Sequence, residues 1–415
     1  MSNWGQLGTI ISGSTPGDEF GHGVHLSEDG LTLAVFADSY SDHSRTDSSD
    51  IRYPGVDIRG ENASVYQYSN GLWQQIGDKI EGPVDNIQCI TLSGDGSVLA
   101  IISRSPSGQT PTSVYKNVEG HWHQIGNHIE GYGQGETLYH ALSLSQDGSI
   151  LAIGTPGYDL TDKKYSSGRV RIFQNINNTW IQIGEDIKGE GQQQQTGYGV
   201  SLSSDGKKVS FVFDATPKRT TAFGATKIRA YKNIGNLWVQ LGNDIIGEDS
   251  RNWLRSSKLS EDGLRLFCTA IDTSNDNCNL KVHIYDLIND TWQKNHTIDF
   301  KHDFKLSRWR TLVDNSPNAR INPGTAVTIS SDGSVVAVSE NKDWEEGYGT
   351  GKGQVSIYKE INGNWTQVGD NIYTEEIGGN APISLDKDGS NIAIGSWYAD
   401  SANGSETGAV KVFST

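Results

Sequence analysis

Residues 142–154 read Leu-Ser-Leu-Ser-Gln-Asp-Gly-Ser-Ile-Leu-Ala-Ile-Gly, and this stretch decides the fold. Leucine and serine alternate up to the Asp147-Gly148 pair, and an apolar pattern resumes three residues after the glycine. Alternation with a period of two places one row of side chains on each face of a strand. Asp-Gly supplies the positive backbone angles of a tight hairpin turn. The stretch therefore predicts two antiparallel strands joined by a short turn.

A second hairpin, which contains a tryptophan, follows the first. Residues 170–184 read Val-Arg-Ile-Phe-Gln-Asn-Ile-Asn-Asn-Thr-Trp-Ile-Gln-Ile-Gly. The segment that ends at Phe173 predicts a third strand, and the asparagines after it are turn formers. The segment that begins at Trp180 predicts a fourth strand. One unit therefore holds four antiparallel strands and shows no helical periodicity.

This unit occurs seven times along the chain. The Asp-Gly turns begin at Asp29, Asp95, Asp147, Asp205, Asp262, Asp332 and Asp388. The matching tryptophans are Trp4, Trp73, Trp122, Trp180, Trp238, Trp292 and Trp365. In six units the tryptophan lies seven residues after the aromatic residue of the third strand. Seven units of four strands predict an all-β chain that folds as a seven-bladed β-propeller.

The two ends of the chain each carry part of one unit. Residues 1–12 contain a fourth strand, from Trp4, with no unit before it, whereas the last unit stops at Phe413, in a third strand. Pairing of these segments would complete the last blade and would remove two exposed sheet edges. The sequence therefore predicts a single domain, residues 1–415, in which the N-terminal strand pairs with the C-terminal blade and closes the ring.

The chain is acidic, with a formal net charge of −16. We expect no nucleic acid partner, because nucleic acid binding favours a positive protein surface. No run of 18 apolar residues is present, so no membrane insertion is expected. The N-terminus leads directly into a predicted strand and shows no secretory signal. Composition leaves the compartment and the oligomeric state open.

Neither a metal nor a cofactor is expected. The sequence has no His/Cys cluster with metal-ligand spacing and no glycine-rich phosphate loop. Three cysteines do not make a disulfide framework. Cys89 and Cys268 occupy strand positions where small apolar residues recur, which favours buried thiols. A local bridge between Cys268 and Cys278 is also possible.

Three stretches resemble the FG-GAP-like repeats of integrin-α-type propellers. They are residues 20–24 (Phe-Gly-His-Gly-Val), 198–202 (Tyr-Gly-Val-Ser-Leu) and 151–157 (Leu-Ala-Ile-Gly-Thr-Pro-Gly). The resemblance implies a seven-bladed ring and favours extracellular or surface-associated adhesion and ligand binding. Calcium-binding members carry alternating acidic residues, whereas residues 27–30 read Ser-Glu-Asp-Gly and residues 145–148 read Ser-Gln-Asp-Gly, with at most two adjacent carboxylates. We interpret Ser-x-Asp-Gly as a side chain that hydrogen-bonds its own backbone, not as a metal loop.

Propeller geometry assigns the Asp-Gly turns and the turns before the tryptophans to one face. The other connections, which vary widely in length, lie on the opposite face, called here the variable-loop face, and such variation marks a face free to carry function. Four of the eleven tryptophans lie outside the repeat and map to this face in the last three blades. Aromatic rings beside guanidinium groups suit a sugar ring or a protein anchor. The predicted ligand-binding residues are Trp253, Arg255, Trp309, Arg310, Trp344, Tyr348, Trp397 and Tyr398.

The sequence favours a non-catalytic binding propeller that recognises a carbohydrate or a glycoprotein through the variable-loop face. One alternative role for the four tryptophans is to pack long loops against the ring. A second alternative is a polysaccharide-active hydrolase or lyase, which needs a carboxylate pair or a His-Tyr-Arg set. A third is an assembly protein of a virion or cell surface. The residues considered for catalysis are Asp18, Glu19, His22, Tyr139, His140, Asp343, Glu345 and Glu346, and no spacing singles out a catalytic group among them.

Overall fold

A computed structural model of the chain describes most of the repeat. The described residues are 4–37, 62–82, 87–103, 105, 109–131, 141–159, 166–214, 226–247, 252–272, 279–300, 325–341, 353–374, 381–397, 399–405 and 407–415. All regular secondary structure in these ranges is β-strand. Among them, no helix has the length and apolarity needed to cross a membrane.

Seven sheets of four antiparallel strands form the predicted seven-bladed β-propeller. The N-terminal segment holds β1 (Gly5–Gln6) and β2 (Ile11–Ser12). Blade 1 holds β3 (Phe20–Leu26), β4 (Thr32–Ala37), β5 (Asn62–Ser69), β6 (Leu72–Gln75) and β7 (Ile80–Glu81), and blade 2 holds β8 (Ile87–Leu92), β9 (Val98–Ser103), β10 (Thr112–Val118) and β11 (His121–Gln124). Blade 3 holds β12 (Ala141–Leu144), β13 (Ile150–Thr155), β14 (Arg169–Ile176), β15 (Thr179–Gln182) and β16 (Ile187–Lys188), and blade 4 holds β17 (Tyr198–Leu202), β18 (Lys208–Asp214), β19 (Thr226–Ile234) and β20 (Leu237–Ile246). Blade 5 holds β21 (Asn252–Leu259), β22 (Arg265–Asp272), β23 (Asn279–Ile288) and β24 (Thr291–Phe300). Blade 6 holds β25 (Thr325–Ile329), β26 (Val335–Asn341), β27 (Gly353–Ile361), β28 (Asn364–Gln367) and β29 (Ile372–Thr374), and blade 7 holds β30 (Ile383–Leu385), β31 (Asn391–Ser396) and β32 (Ala409–Ser414) together with β1 and β2.

The chain divides into two compact units. Unit 1 comprises residues 1–106, 111–128 and 322–415 and holds blades 1, 2, 6 and 7. Unit 2 comprises residues 107–110 and 129–321 and holds blades 3, 4 and 5. The organisation of residues 1–415 as one domain stays a prediction.

The predicted pairing of the two chain ends is confirmed within unit 1. Gly5 pairs with Ser414 and Gln6 with Phe413, both antiparallel. The second N-terminal piece continues the same pairing, since Ile11 lies opposite Val410. Several fourth strands are split in this way, because a glycine with positive φ interrupts the strand and a short second piece then rejoins the third strand.

Apolar clusters fill the spaces between neighbouring sheets of each unit. The second strand of a blade is buried on both faces, as β4, β9 and β13 show. Between blades 1 and 2, for example, Ala34 and Val65 pack with Ile90 and Leu99. The alternating first and third strands supply the remaining apolar side chains, which explains why the apolar pattern keeps one phase in every unit.

The Asp-Gly turn is wider than a two-residue hairpin, so that detail of the prediction is wrong. Positive φ is confined to the glycine, 67° at Gly148, and the aspartates of the described turns do not share it. Ser145 Oγ accepts the N–H of Ile150 at 2.9 Å and donates to Asp147 Oδ1 at 2.7 Å. The Asp147 carboxylate also accepts the Ser149 N–H. These bonds confirm that Ser-x-Asp-Gly bonds its own backbone.

Both central residues take positive φ in the other turn of the unit, which precedes the tryptophan. Asn70 and Gly71 have φ of 51° and 81°, and Asn177 and Asn178 have 51° and 61°. This is the requirement of a type I′ hairpin, whose twist matches that of the flanking strands. The asparagine and glycine content of these turns follows from it.

Neighbouring Asp-Gly turns are also hydrogen-bonded to each other. In unit 1 the Glu28 N–H donates to the Gly94 carbonyl at 2.8 Å, and the Lys387 N–H donates to the Glu28 carbonyl at 3.0 Å. In unit 2 the Gln146 N–H donates to the Ser204 carbonyl at 2.9 Å. The backbone groups on this side of the blades therefore serve to join one turn to the next.

The ring nitrogen of a repeat tryptophan donates a hydrogen bond to a backbone carbonyl of the preceding blade in the same unit. This holds for every repeat tryptophan whose ring nitrogen bond is described. Trp73 Nε1 donates to the Leu7 carbonyl at 2.9 Å, and Trp292 Nε1 donates to the Leu241 carbonyl at 2.9 Å. The acceptor lies three residues after the tryptophan of the preceding unit, and a glycine follows it. The tryptophan is thus an inter-blade contact and not only a core side chain.

The seventh turn replaces the serine with an aspartate. Asp386 is 3% exposed and accepts hydrogen bonds from the Asn391 amide side chain at 2.7 Å and from Ser390 Oγ at 3.0 Å. Burial raises the pKa of Asp386, and the nearby Asp388 charge adds to that effect. At Asp147, burial acts in the same direction, but hydrogen bonds from Ser149 and Ser145 outweigh it and lower the pKa.

Replacing Asp386 by serine is expected to raise the free energy of unfolding by about 1 kcal/mol at neutral pH. Because the pKa of Asp386 is raised in the folded protein, the protonated carboxyl contributes its full stability below about pH 3.9. This contribution is lost as the pH rises through the folded-state pKa. The gain from Asp386→Ser should therefore shrink toward acidic pH. Urea denaturation at neutral pH and at about pH 4 measures both values.

Asp147→Asn is the matched control for this substitution. The Asp147 carboxylate has a lowered pKa. It therefore contributes stability at pH values above its unfolded-state pKa, and this stability is lost as the pH falls. Asp147→Asn should therefore destabilise the protein at neutral pH. Equal destabilisation by Asp386→Ser would contradict the role assigned to the buried carboxylate.

The cysteines differ in burial. Cys268 is 1% exposed and carries a free thiol, and burial raises its pKa to about 12. Cys89 is half-buried, because it lies at a bulge between β8 and β9. Cys278 lies outside the described residues. Cys268 is therefore a buried, unreactive thiol, as predicted.

Candidate functional site

Trp397, one of the predicted ligand-binding residues, lies directly after β31 in unit 1. Its half-buried ring meets the His22 imidazole edge-on, with centroids 4.9 Å apart and planes at 76°. The His22 ring also meets the Phe36 ring, with centroids 5.5 Å apart and planes at 67°. Trp397 is thus held in place by blade 1 while part of its ring stays accessible. Packing and binding are both compatible with this position.

The other predicted ligand-binding residues are not described at the level of side chains. Trp253 and Arg255 lie on β21, where the Trp253 backbone pairs with Ile271. Their side chains are outside the described part of the structure, as are the whole residues Trp309, Arg310, Trp344, Tyr348 and Tyr398. The grouping of these residues into one surface stays a prediction.

Asp18, one of the residues considered for catalysis, has a structural role. It is 7% exposed, and its Oδ2 accepts the N–H groups of Ser14 at 3.1 Å and Thr15 at 2.9 Å. Both hydroxyls of those residues donate to the same oxygen. The carboxylate therefore shapes the loop before β3. Tyr139, His140, Asp343, Glu345 and Glu346 lie outside the described residues.

A row of basic side chains, which the sequence analysis did not single out, lies on the third strands of unit 2. These side chains occupy the positions four and two residues before the aromatic residue of each third strand. The pairs are Arg169 and Arg171, Lys227 and Arg229, and Lys281 and His283. The same two positions in unit 1 hold Asn62 and Ser64, Pro111 and Ser113, Gln354 and Ser356, and Ala409 and Lys411. The available signal was a charged residue inside an otherwise apolar strand.

Arg169 is the most deeply buried arginine of this row. It begins β14, is 6% exposed, and donates from Nη1 to Asp186 Oδ2 at 3.0 Å. The Tyr158 ring covers its guanidinium, with the Cζ atom 3.7 Å from the ring centroid. Burial would raise the pKa of Asp186, but hydrogen bonds from Gln182 and Arg169 and the charges of Arg169 and Arg171 lower it.

The other two arginines of the row are also anchored. Arg171 is 7% exposed and donates from Nη2 to the Glu130 carbonyl at 2.9 Å. Arg229 makes a bidentate pair with Asp244, from Nε at 2.6 Å and from Nη2 at 2.9 Å, and its Nη1 donates to Glu190 at 2.9 Å. These bonds, led by the one to Asp244, raise the pKa of Arg229.

Backbone contacts join the two connections that flank Arg169. The Thr196 N–H donates to the Ser167 carbonyl at 3.0 Å, and the Gly189 N–H donates to the Gly168 carbonyl at 3.0 Å. A Cβ atom on Gly168, whose φ is 75°, would lie 2.3 Å from the Thr196 backbone. Glycine at position 168 therefore allows the two connections to approach each other closely beside Arg169.

A metal centre is not apparent in the part of the chain that the structure covers. There, no group of three or more His, Cys, Asp or Glu side chains is placed to hold an ion. The carboxylates of the described Asp-Gly turns accept hydrogen bonds from backbone N–H groups and serine hydroxyls.

Comparison with known proteins shows the fold. No protein-family model and no curated protein matches the chain. Hydrazine synthase of Kuenenia stuttgartiensis is similar in structure, with 12% identity, 98% of each chain covered and a TM-score of 0.56. A Bacteroides uniformis protein provisionally described as 6-phosphogluconolactonase has 14% identity, 88% of each chain covered and a TM-score of 0.54. A chain of a mitotic checkpoint complex has 12% identity and a TM-score of 0.53, with 100% of this chain and 96% of that chain covered. At these identities the likeness extends to the propeller fold, and the FG-GAP-like resemblance stays a prediction.

Proposed function

We propose that this propeller is a non-catalytic binding module that recognises a carbohydrate or glycoprotein through its variable-loop face. The contrast between the two ends of the strands carries the proposal. At the Asp-Gly end, side chains and backbone groups are committed to turn-shaping and turn-to-turn hydrogen bonds. The opposite connections differ in length and sequence from blade to blade.

Aromatic and guanidinium groups support carbohydrate as the ligand class. A sugar ring presents a C–H face that packs on an aromatic ring, and its hydroxyls and carboxylates accept hydrogen bonds from arginine. Trp397 is held edge-on by His22, so little side-chain entropy would be lost when a ligand stacks on it. The FG-GAP-like stretches add the expectation of an extracellular or surface location.

Replacing Trp397 by alanine is expected to weaken glycan binding about tenfold or more, because a rigid aromatic anchor is lost. A glycan array identifies the ligand, and calorimetry with the best ligand measures the change in Kd. Trp122→Phe is the matched control: Trp122 is also half-buried, but its Nε1 donates to the Ile76 carbonyl at 3.1 Å. This control should lower stability and leave binding unchanged.

Two results would contradict the proposal. If Trp397→Ala lowers the melting temperature without changing binding, the ring serves only to pack its loop. If the array yields no binder, carbohydrate is the wrong ligand class.

A further inference from the structure

Arg169 carries two buried N–H groups that have no acceptor among the residues the structure describes. Within that part of the chain, its Nε and Nη2 atoms are inaccessible to solvent and have no hydrogen-bond partner, whereas Nη1 is bonded to Asp186. Nε and Nη2 together form one edge of the guanidinium, whose parallel N–H bonds match two oxygens of one anion. A buried donor without an acceptor destabilises a fold, so this arrangement calls for a partner.

Arg229, on the third strand of blade 4, is half-buried and differs from Arg169. Its Nε, Nη1 and Nη2 atoms each donate to a carboxylate. The open edge therefore does not occur at Arg229, which makes this residue a suitable control.

Positive charge surrounds Arg169. The Asp186 carboxylate interacts with both Arg169 and Arg171, and each of these arginines is at least nine-tenths buried. Lys188 lies opposite Arg169 on the neighbouring strand. An anion bound at Arg169 would therefore lie beside several positively charged groups.

We propose that the Nε/Nη2 edge of Arg169 binds a small anion that carries two oxygens on one atom, either a carboxylate or a tetrahedral oxyanion such as sulfate. Tyr158 is half-buried, and its ring covers the face of this guanidinium. Movement of the Tyr158 ring would open the guanidinium to an anion. This site is independent of the tryptophans of the proposed carbohydrate surface.

Crystals soaked in selenate or in acetate test the proposal directly. We expect selenate to give an anomalous peak, or acetate to give planar density, within hydrogen-bond distance of Arg169 Nε and Nη2. The first result identifies an oxyanion site and the second a carboxylate site. Absence of both at Arg169 would overturn the proposal.

A titration in solution compares the wild type with two matched variants. Binding of sulfate, phosphate and acetate is measured by calorimetry at constant ionic strength, with chloride as the reference salt. Arg169→Lys keeps the charge but removes the two-donor edge, and should weaken the preferred anion about tenfold. Arg229→Lys, the control, should leave the Kd unchanged. Equal Kd values for the wild type and Arg169→Lys, or no saturable binding by the wild type, would contradict the proposal. If Arg169→Lys does not fold, the soaked crystals of the wild type decide the question.

Discussion

Gly242→Ala is expected to lower the free energy of unfolding by about 3 kcal/mol, the sum of backbone strain and overpacking. Gly242 has a φ of 72°, and a Cβ atom there would lie 2.6 Å from Cδ1 of Trp292. The indole has no room to move, since Trp292 is 4% exposed and its Nε1 is bonded to the Leu241 carbonyl. Urea denaturation of both proteins measures the difference.

Gly235→Ala separates the two contributions. Gly235 lies in the same blade with a φ of 57°, but a Cβ atom there meets nothing within 4 Å. This variant should therefore lose only the backbone part, about 1 kcal/mol. In a Trp292→Ala background, Gly242→Ala should also cost no more than Gly235→Ala, because the clash is gone. If the two alanine variants are equally destabilised in the wild-type background, contact with the indole is not what requires the glycine.

The repeat, its strands and the ring closure could be predicted because each depends on local alternation and turn residues. The pairing of Gly5 with Ser414 follows from counting which strands the two ends lack. The role of Gly242 could not be predicted in this way. Its reason lies in the Trp292 ring of the next blade, and such a contact appears only when the sheets are packed side by side.

The turns show a second limit of local reasoning. Asp-Gly in isolation favours a two-residue hairpin, yet Ser145 Oγ captures the Ile150 N–H and widens the loop. The competing side-chain bond decided the geometry. The positive angles occur instead in the asparagine-rich turns before the tryptophans.

Candidate binding residues were only partly accessible to sequence reasoning. The extra tryptophans stand out because they break the repeat, and Trp397 is the member whose side chain the structure describes. Arg169 did not stand out, because surface arginines are common and its burial depends on the Tyr158 loop and on Asp186 from the following segment. Its open Nε/Nη2 edge becomes visible only when the described acceptors around it are placed in three dimensions.

Deleting residues 1–12 is expected to abolish stable folding, with a loss of about 5 kcal/mol or more, comparable to the whole stability of many domains. The deletion exposes the edge of β32 and removes the buried side chain of Ile11. It also removes the bond from Trp4 Nε1 to the Val368 carbonyl and the acceptor of Trp73 Nε1, the Leu7 carbonyl. Circular dichroism and size-exclusion chromatography should show loss of folded protein and formation of aggregates, because an open strand edge promotes aggregation.

Moving the same residues to the other end of the chain is the decisive control. A variant that begins at Gly13 and carries residues 1–12 after Thr415 keeps every residue and joins the third and fourth strands of blade 7 by a short turn, as in the other blades. Because Gly5 already lies opposite Ser414, this connection requires no change in pairing. We expect the variant to fold with a stability near that of the wild type, since ring closure depends on pairing with β32 and not on chain order. If the deletion variant is folded, closure of the blade by residues 1–12 contributes little, and the energetic importance assigned to this pairing is wrong. If the moved segment does not restore folding, closure depends on chain order and not on pairing with β32 alone.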